Sequence, residues 1–353
     1  MIYRRLIQWT GGLLLLGAHV LVTSLASAGS AAPTANAKVP FGVALDGKAT
    51  RERLAAIERE LDLELDLVAI FTQFPEDPRH DNFPAEQLVA IRDTDARPVL
   101  TWEPMHVQDG EEHILPASAI TDGTYDPYLR RFARGVKAFG DPVLIRFAHE
   151  MNLIRYHWGE ATPETYGPET PERYREMFRY VVRIFREEGA AEHARFAFNP
   201  NAESVPSPEH DSDAAWNRPE AYYPGNDKVD VLAMDGYNWG TTQTPAEHGW
   251  QSQHQSFRTI FEPLYRTLRE LAPEKPIYVL ETASAVEGGD KARWIEQAAA
   301  TAMEWQLAGV VWFHNDKELD WRLDAGVEDT ALDPLRRMQG GSGDAREESP
   351  NDE

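Results

Sequence analysis

The chain has 353 residues, 42% hydrophobic and 26% charged, enough apolar material for one large core or two modest ones. With 35 Lys and Arg against 58 Asp and Glu, its formal net charge is −23. That excludes a general nucleic-acid binder and disfavours docking on anionic lipid, since both need a basic surface. There is no cysteine, so disulfides, thiolate metal sites, a cysteine nucleophile and a lipid-modified cysteine are excluded as well.

Residues 1–28 have the pattern of a secretory signal peptide. Arg4 and Arg5 form a basic start, Gly11 to Leu25 is apolar, and Ala26-Ser27-Ala28 offers a small-residue cleavage site. The competing reading is an uncleaved anchor, because the apolar stretch is nearly long enough to span a bilayer. Ala35-Asn36-Ala37 is a second possible cut. Removing residues 1–28 takes away two arginines and no acids, moving the charge from −23 to −25. Residues 29–38 form a small-residue linker. Residues 339–353 are Gly/Ser-rich and then acidic, the composition of a disordered tail. The folded unit expected is 39–338.

Within it, short apolar runs alternate with amphipathic ones. Strands are expected at Val39–Leu45, Leu65–Phe74, Pro98–Trp102, Pro142–Ala148, Arg195–Phe198, Val229–Met234, Ile277–Leu280 and Gly309–Phe313. Most are unbroken Val/Ile/Leu/Phe runs, as suits strands buried on both faces. Helices are expected at Arg51–Leu61, Pro84–Ile91, Tyr128–Ala138, Pro171–Glu188, Phe257–Leu271 and Lys291–Trp305. Thr170 would cap the fourth and Gly189 follow its end. Between Asn201 and Tyr223 the chain is Pro-rich and defines no clear helix. Eight strands alternating with helices over about 300 residues predict an α/β fold, a (β/α)8 TIM barrel, rather than a doubly wound sheet with its Gly-rich first turn.

Two motif-like stretches carry no function. Gly42 to Ala49 nearly spells a phosphate-binding loop, but Ala49 stands at the Mg²⁺-holding Ser/Thr position and Asp46 would repel phosphate. His149-Glu150 begins like a zinc-protease helix, but Leu153 occupies the second His position. No Gly-x-Ser-x-Gly elbow occurs.

Chemistry in such a barrel sits at the C-terminal strand ends. In chain order those ends carry Asp46, Gln73, Trp102-Glu103, Arg146 with His149-Glu150, Asn199 and Asn201, Asp235 to Trp239, Glu281, and Trp312 with His314-Asn315. Acids, amides and indoles on one rim suit a sugar, whose C–H faces stack on aromatics and whose hydroxyls bond to acids and amides. Glu150 and Glu281 stand out because each ends a markedly apolar run, where an unpaired buried carboxylate is expensive. Singly, either reads equally as a salt-bridged structural acid. Together at strands 4 and 7 they fit glycoside hydrolysis. Carboxyls roughly 5–5.5 Å apart give a retaining mechanism, and their proximity raises the pKa of the proton donor.

At this point the sequence resembles glycoside hydrolase family 26, the family of β-mannanases that also includes mixed-linkage β-glucanases and β-1,3-xylanases. The resemblance runs from about Phe41 to Leu323. It rests on Arg146-Phe147-Ala148-His149-Glu150-Met151-Asn152, Tyr223-Pro224-Gly225, Val229-Asp230 to Asp235-Gly236-Tyr237-Asn238-Trp239, Glu281-Thr282-Ala283-Ser284, and Trp312 to Arg322. It implies Glu150 as general acid/base and Glu281 as nucleophile, with Arg146 and Tyr237 hydrogen-bonding the nucleophile and His149 preceding the donor. It also implies Trp312 as the floor of the sugar site at the cleaved bond, and Trp102 and Trp158 as walls of flanking subsites. Against these stand packing roles for Trp102 and Trp158 and a satisfied core position for His149. Lys317, Asp320, Trp321 and Arg322 read as loop-fixing first and ligand-binding second.

One stretch departs from the family pattern. Leu153-Ile154-Arg155-Tyr156-His157-Trp158 has Leu for the expected Gly, Arg155 for an aromatic and His157 for Pro. Arg155 and His157 would bring positive charge to the cleft, suiting a glycan that carries carboxylate, sulfate or pyruvyl groups. The expected activity is an exported, retaining, endo-acting β-glycan hydrolase, mannanase-like, secreted or periplasmic, monomeric, with no cofactor or metal and no stable membrane association after signal cleavage. Alternatives are a glycanase processing an exopolysaccharide or a mixed-linkage β-glucan, and a non-catalytic carbohydrate-binding or export accessory protein, whose mark would be a missing carboxylate.

Overall fold

The computed structural model describes residues 38–340; residues 1–28, nearly all of the linker and the tail beyond 340 lie outside the described residues. Eight parallel strands close into a barrel: β1 Phe41–Ala44, β2 Leu67–Gln73, β3 Arg97–Glu103, β4 Val143–Phe147, β5 Ala194–Phe198, β6 Val231–Asn238, β7 Ile277–Ser284 and β8 Gly309–Phe313. Each pairs with its sequence neighbours, and β8 closes on β1. All eight expected strands are present, so the (β/α)8 prediction holds.

The outer layer contains α1 Arg51–Leu61, α2 Ala85–Arg92, α3 Asp126–Phe139, α4 Thr170–Glu187, α5 Phe257–Leu271, α6 Lys291–Glu304 and α7 Asp333–Met338. Local chemistry starts several of them. Thr50, Ser256 and Asp290 accept from backbone N–H groups in the first turns of α1, α5 and α6. Thr170 is not the cap of α4. It is the helix's first residue, and its hydroxyl donates to Glu160 at 2.8 Å. Between β5 and β6 the described chain has only short 3-10 turns at Ser212–Ala214 and Pro219–Tyr222, the stretch whose Pro content defined no helix.

Two insertions were not anticipated: an antiparallel hairpin, Met105–Gln108 with Glu111–Ile114, and a short helix, Ala117–Thr121. Both follow β3 on the chemistry-bearing side. At the opposite side the ends of the barrel meet. Val39 N–H donates to the Met338 carbonyl at 3.0 Å, and the Gln339 amide donates to the Glu64 carbonyl and the Asp66 carboxylate. The first residue assigned to the tail is thus bonded to the barrel base.

Strand parity sorts side chains between the lumen and the helix layer. On β3, Thr101 bonds to Arg146 inside the barrel, whereas Trp102 points out, stacks on Phe132 at 4.2 Å and donates to Tyr128 at 3.0 Å. Inside, Gly42 answers to close approach. A Cβ there would stand 1.9 Å from the Leu67 carbonyl oxygen, so this glycine serves strand packing and not a phosphate. No helix among the described residues is long and apolar enough to cross a membrane.

Candidate active site

The strand-4 end turns sharply. Ala148 and Glu150 adopt φ of 49° and 52°, the left-handed region that non-glycine residues seldom occupy. Neighbouring strand ends hold the turn in place: Ala148 N–H donates to the Trp102 carbonyl at 3.1 Å and Glu150 N–H to the Asn199 carbonyl at 2.8 Å. Trp158 donates its indole N–H to the His149 carbonyl between them. Asn152 then anchors the chain after β5. Its amide donates to the Asn201 and Glu203 carbonyls and accepts from Asn201 N–H, all at 2.9 Å. So fixed, Asn201 donates its side-chain amide to the Glu150 carboxyl at 2.6 Å.

The strand-7 end is aimed by a β-bulge. Met234 pairs with Val279 but Asp235 pairs with Glu281, so Leu280 is an extra residue and Glu281 is shifted relative to β6. Glu281 accepts from Arg146 at 2.7 Å and from the Tyr237 hydroxyl. Arg146 is fully buried. It also donates to Asp235, to Asn199 at 2.9 Å and to Thr101 at 3.1 Å. Burial opposes its charge, but Asp235 and Glu281 outweigh that and hold the guanidinium protonated. Burial keeps the Tyr237 hydroxyl protonated, a donor rather than an acceptor.

Glu150, Glu281 and Tyr237 open into one cleft of about 430 Å³ whose lining also includes Tyr156, Trp239, Phe313 and Trp321. Burial, reinforced by the charge of Glu281, pushes the Glu150 carboxyl up to about 7. Of the expected site residues, Glu150, Glu281, Arg146 and Tyr237 are brought together.

Four others lie elsewhere. Trp312 is buried on the outer face of β8, edge-on to Trp294 at 5.6 Å, and donates to the Trp321 carbonyl at 2.7 Å. It does not line the cleft; it supports Trp321, which does. Trp102 is a core residue, as described above. Trp158 is buried behind Tyr156, stacked at 4.9 Å, so Tyr156 and not Trp158 is the exposed wall. His149 is buried, 4.7 Å from the Tyr156 ring, and desolvation with Arg146 nearby holds it far below its ordinary range, hence neutral.

The departing loop also differs from expectation. His157 lies off the cleft, its Nδ1 3.2 Å from the Ile154 carbonyl, and burial lowers its affinity for a proton. Arg155 does line the cleft, but Glu112 from the inserted hairpin neutralises it at 2.6 Å. With Asp46, Glu103, Glu112, Glu150, Glu281 and Glu318 against Arg155 and Lys317, the lining does not favour an anionic glycan.

Glu103 was missed as a site residue. It stands two residues after Thr101, so parity turns it inward, where it is buried and accepts from Gln73 at 2.5 Å. Burial pushes it up to about 7 from 4.5. Between those pH values the native protein keeps a proton that the unfolded chain has released, so stability falls as pH rises through the window. Glu103→Gln is expected to remove up to about 3 kcal/mol of the stability lost between pH 5 and pH 8. Urea unfolding of both proteins at the two pH values checks this; parallel losses would refute it.

A parallel (β/α)8 barrel with carboxyls from strands 4 and 7 in one aromatic-lined mouth is the architecture of glycoside hydrolases. Residues 108–255 match the family model described as glycosyl hydrolase family 26. It is 36% identical over 232 residues to Endoglucanase H of Acetivibrio thermocellus, a match covering 65% of this chain and 23% of that protein. It is 24% identical over 132 residues to a mannan endo-1,4-beta-mannosidase of Bacillus subtilis, covering 36% of this chain and 33% of that one. The chain thus spans a third or less of the length of these relatives. Among solved structures, the Bacillus subtilis mannanase BCman is similar at TM-score 0.58 and 15% identity, over 85% of this chain and 86% of that one. The family 26 domain of a Prevotella bryantii endo-beta-mannanase/endo-beta-glucanase is similar at TM-score 0.56 and 14% identity, over 88% and 90%. Likeness at that identity concerns the fold.

Proposed function

We propose that this protein is an exported, retaining, endo-acting hydrolase of β-linked glycans. The observation that carries the reading is the unequal pair: a Glu150 that holds its proton to about pH 7 shares one cleft with a Glu281 that accepts from Arg146 and Tyr237. Glu150 protonates the leaving glycosidic oxygen while Glu281 attacks the anomeric carbon, forming a glycosyl-enzyme ester. Glu150, now ionised, takes a proton from water as the water's oxygen attacks that carbon and Glu281 leaves. Arg146 and Tyr237 hold Glu281 and balance its charge. No carboxylate is missing, which disfavours the accessory-protein reading.

The backbone sugar has two candidates. The family resemblance suggests β-mannan. The departure at Leu153 to Trp158, together with the higher identity to a protein named an endoglucanase, favours a β-glucan. Product analysis on a panel of β-mannan, mixed-linkage β-glucan and an acidic exopolysaccharide tests both. Cleavage of a neutral polymer with retained anomeric configuration is expected; inversion, or turnover of the acidic polymer alone, refutes the proposal. Because the first step needs protonated Glu150, kcat/KM is expected to fall tenfold per pH unit above about pH 7. A flat profile to pH 9 would remove Glu150 from that role.

A further inference from the structure

We propose that Trp250 is an outer sugar platform that lengthens the cleft for a polymeric glycan, beyond the sugars next to the cleaved bond. The inference rests on the reading of the protein as a glycan hydrolase. A single exposed apolar side chain needs no explanation by itself; continuity with the site is what distinguishes this one. The Tyr237 ring, whose hydroxyl bonds to Glu281, lies 5.1 Å from Trp321. Trp321 lies 5.0 Å from Trp239, and Trp239 lies 5.9 Å from Trp250 at an interplanar angle of 84°. The first three line the cleft. Trp250 continues the series into solvent and is 43% exposed.

The loop that carries Trp250 is braced. Gln243 and Ser252 are buried and bonded twice: Gln243 N–H donates to the Ser252 hydroxyl at 2.9 Å, and Ser252 N–H to the Gln243 carbonyl at 3.1 Å. The Gln251 amide adds a bond to the Gln243 carbonyl at 3.1 Å. Gln255 N–H then ties the returning chain to Asn238 at 2.9 Å. An indole held in water by a fixed loop loses little freedom when a ligand arrives, which is what a binding platform requires. The electron-rich faces of the ring attract C–H groups, so the ligand class is an uncharged pyranose ring several sugars along the chain. Sequence alone leaves Trp250 unmarked, since it lies 12 residues past the end of β6 at Asn238.

The test compares wild type, Trp250→Ala and Trp250→Phe on β-mannan and β-glucan polymers and on a short aryl glycoside. For Trp250→Ala, the ratio of kcat/KM on polymer to kcat/KM on the aryl glycoside is expected to fall about tenfold, the size of one lost stacking contact. The fall should lie in KM, and Phe should restore most of it. Equal ratios in all three proteins overturn the proposal. In parallel, retardation in gels containing each polymer is measured with catalytically inactive Glu281→Ala backgrounds. Loss of retardation with Trp250→Ala, whether or not turnover is seen, supports the platform independently of the hydrolase reading; unchanged retardation refutes it. If wild type cleaves nothing yet Trp250 governs retardation, the hydrolase reading alone fails.

Discussion

Replacing Glu281 by Ala is expected to lower kcat by at least about 10⁴-fold on every substrate, because it removes the nucleophile that Arg146 and Tyr237 hold in place. That loss corresponds to about 5.5 kcal/mol of transition-state stabilisation. Glu150→Ala should behave differently. On a polymer, whose leaving group needs a proton, the loss should reach roughly 10²–10⁴-fold. On an aryl glycoside with a good leaving group the first step should survive, so the glycosyl-enzyme accumulates and a burst appears while turnover stays slow. The fall in kcat/KM above pH 7 should vanish in the same variant, since Glu150 supplies that ionisation. Stopped-flow measurement of the burst, with mass spectrometry of the trapped ester on Glu281, separates the roles. A burst in Glu281→Ala, or equal residual activity in both variants and wild type, would reverse or cancel the assignments. Both variants should fold, because each removes a carboxyl from a crowded acidic mouth.

The barrel was legible because its strands are unbroken apolar runs, each closed by a polar residue, and that pattern survives without knowledge of contacts. Glu150 and Glu281 were legible for the same reason: an acid ending an apolar run has few structural uses. The tryptophans misled because a strand end carries two faces. Trp102 and Trp312 sit one residue off the inward parity of Thr101, Glu103 and Phe313, and therefore face the helices. Glu103 was visible on sequence only as a strand-end acid; its inward parity follows from the register of β3 against β4, which pairs Thr101 with Arg146. Parity does not reach Glu281, because the Leu280 bulge interrupts the count. The hairpin at 105–114 and its Glu112 lay beyond reach too: six of its residues are polar or charged, with no alternation long enough to mark a strand pair. Without Glu112, Arg155 reads as free charge. The lesson for Trp321 is similar. Its loop-fixing and cleft-lining roles are both present because Trp312 and Asn315 anchor the backbone that presents the ring.

Arg146 is where stability and chemistry meet. One buried guanidinium serves two carboxylates, Asp235 and Glu281, while burial and the charges of Glu150 and Glu281 push Asp235 up against its pull. Arg146→Met keeps volume and removes the charge, leaving both carboxyls without a cation in a desolvated site. Breaking such a pair from one side costs about 3–5 kcal/mol, expected as a drop of several degrees in Tm at pH 7. Lys is no substitute, since four partners need the planar fork of five donors. The sign with pH follows from the protons. In the variant the native carboxyls bind protons more tightly than the unfolded chain, so its deficit should shrink as pH falls from 7 towards 5. Activity should fall further than stability, by on the order of 10²–10³-fold even where the variant is fully folded, because Glu281 loses one of the two donors that aim it. Calorimetry at both pH values, set beside the alkaline limb of the rate profile, distinguishes this from a packing defect. A packing defect would lower Tm equally at pH 5 and pH 7 and leave kcat of the folded fraction intact.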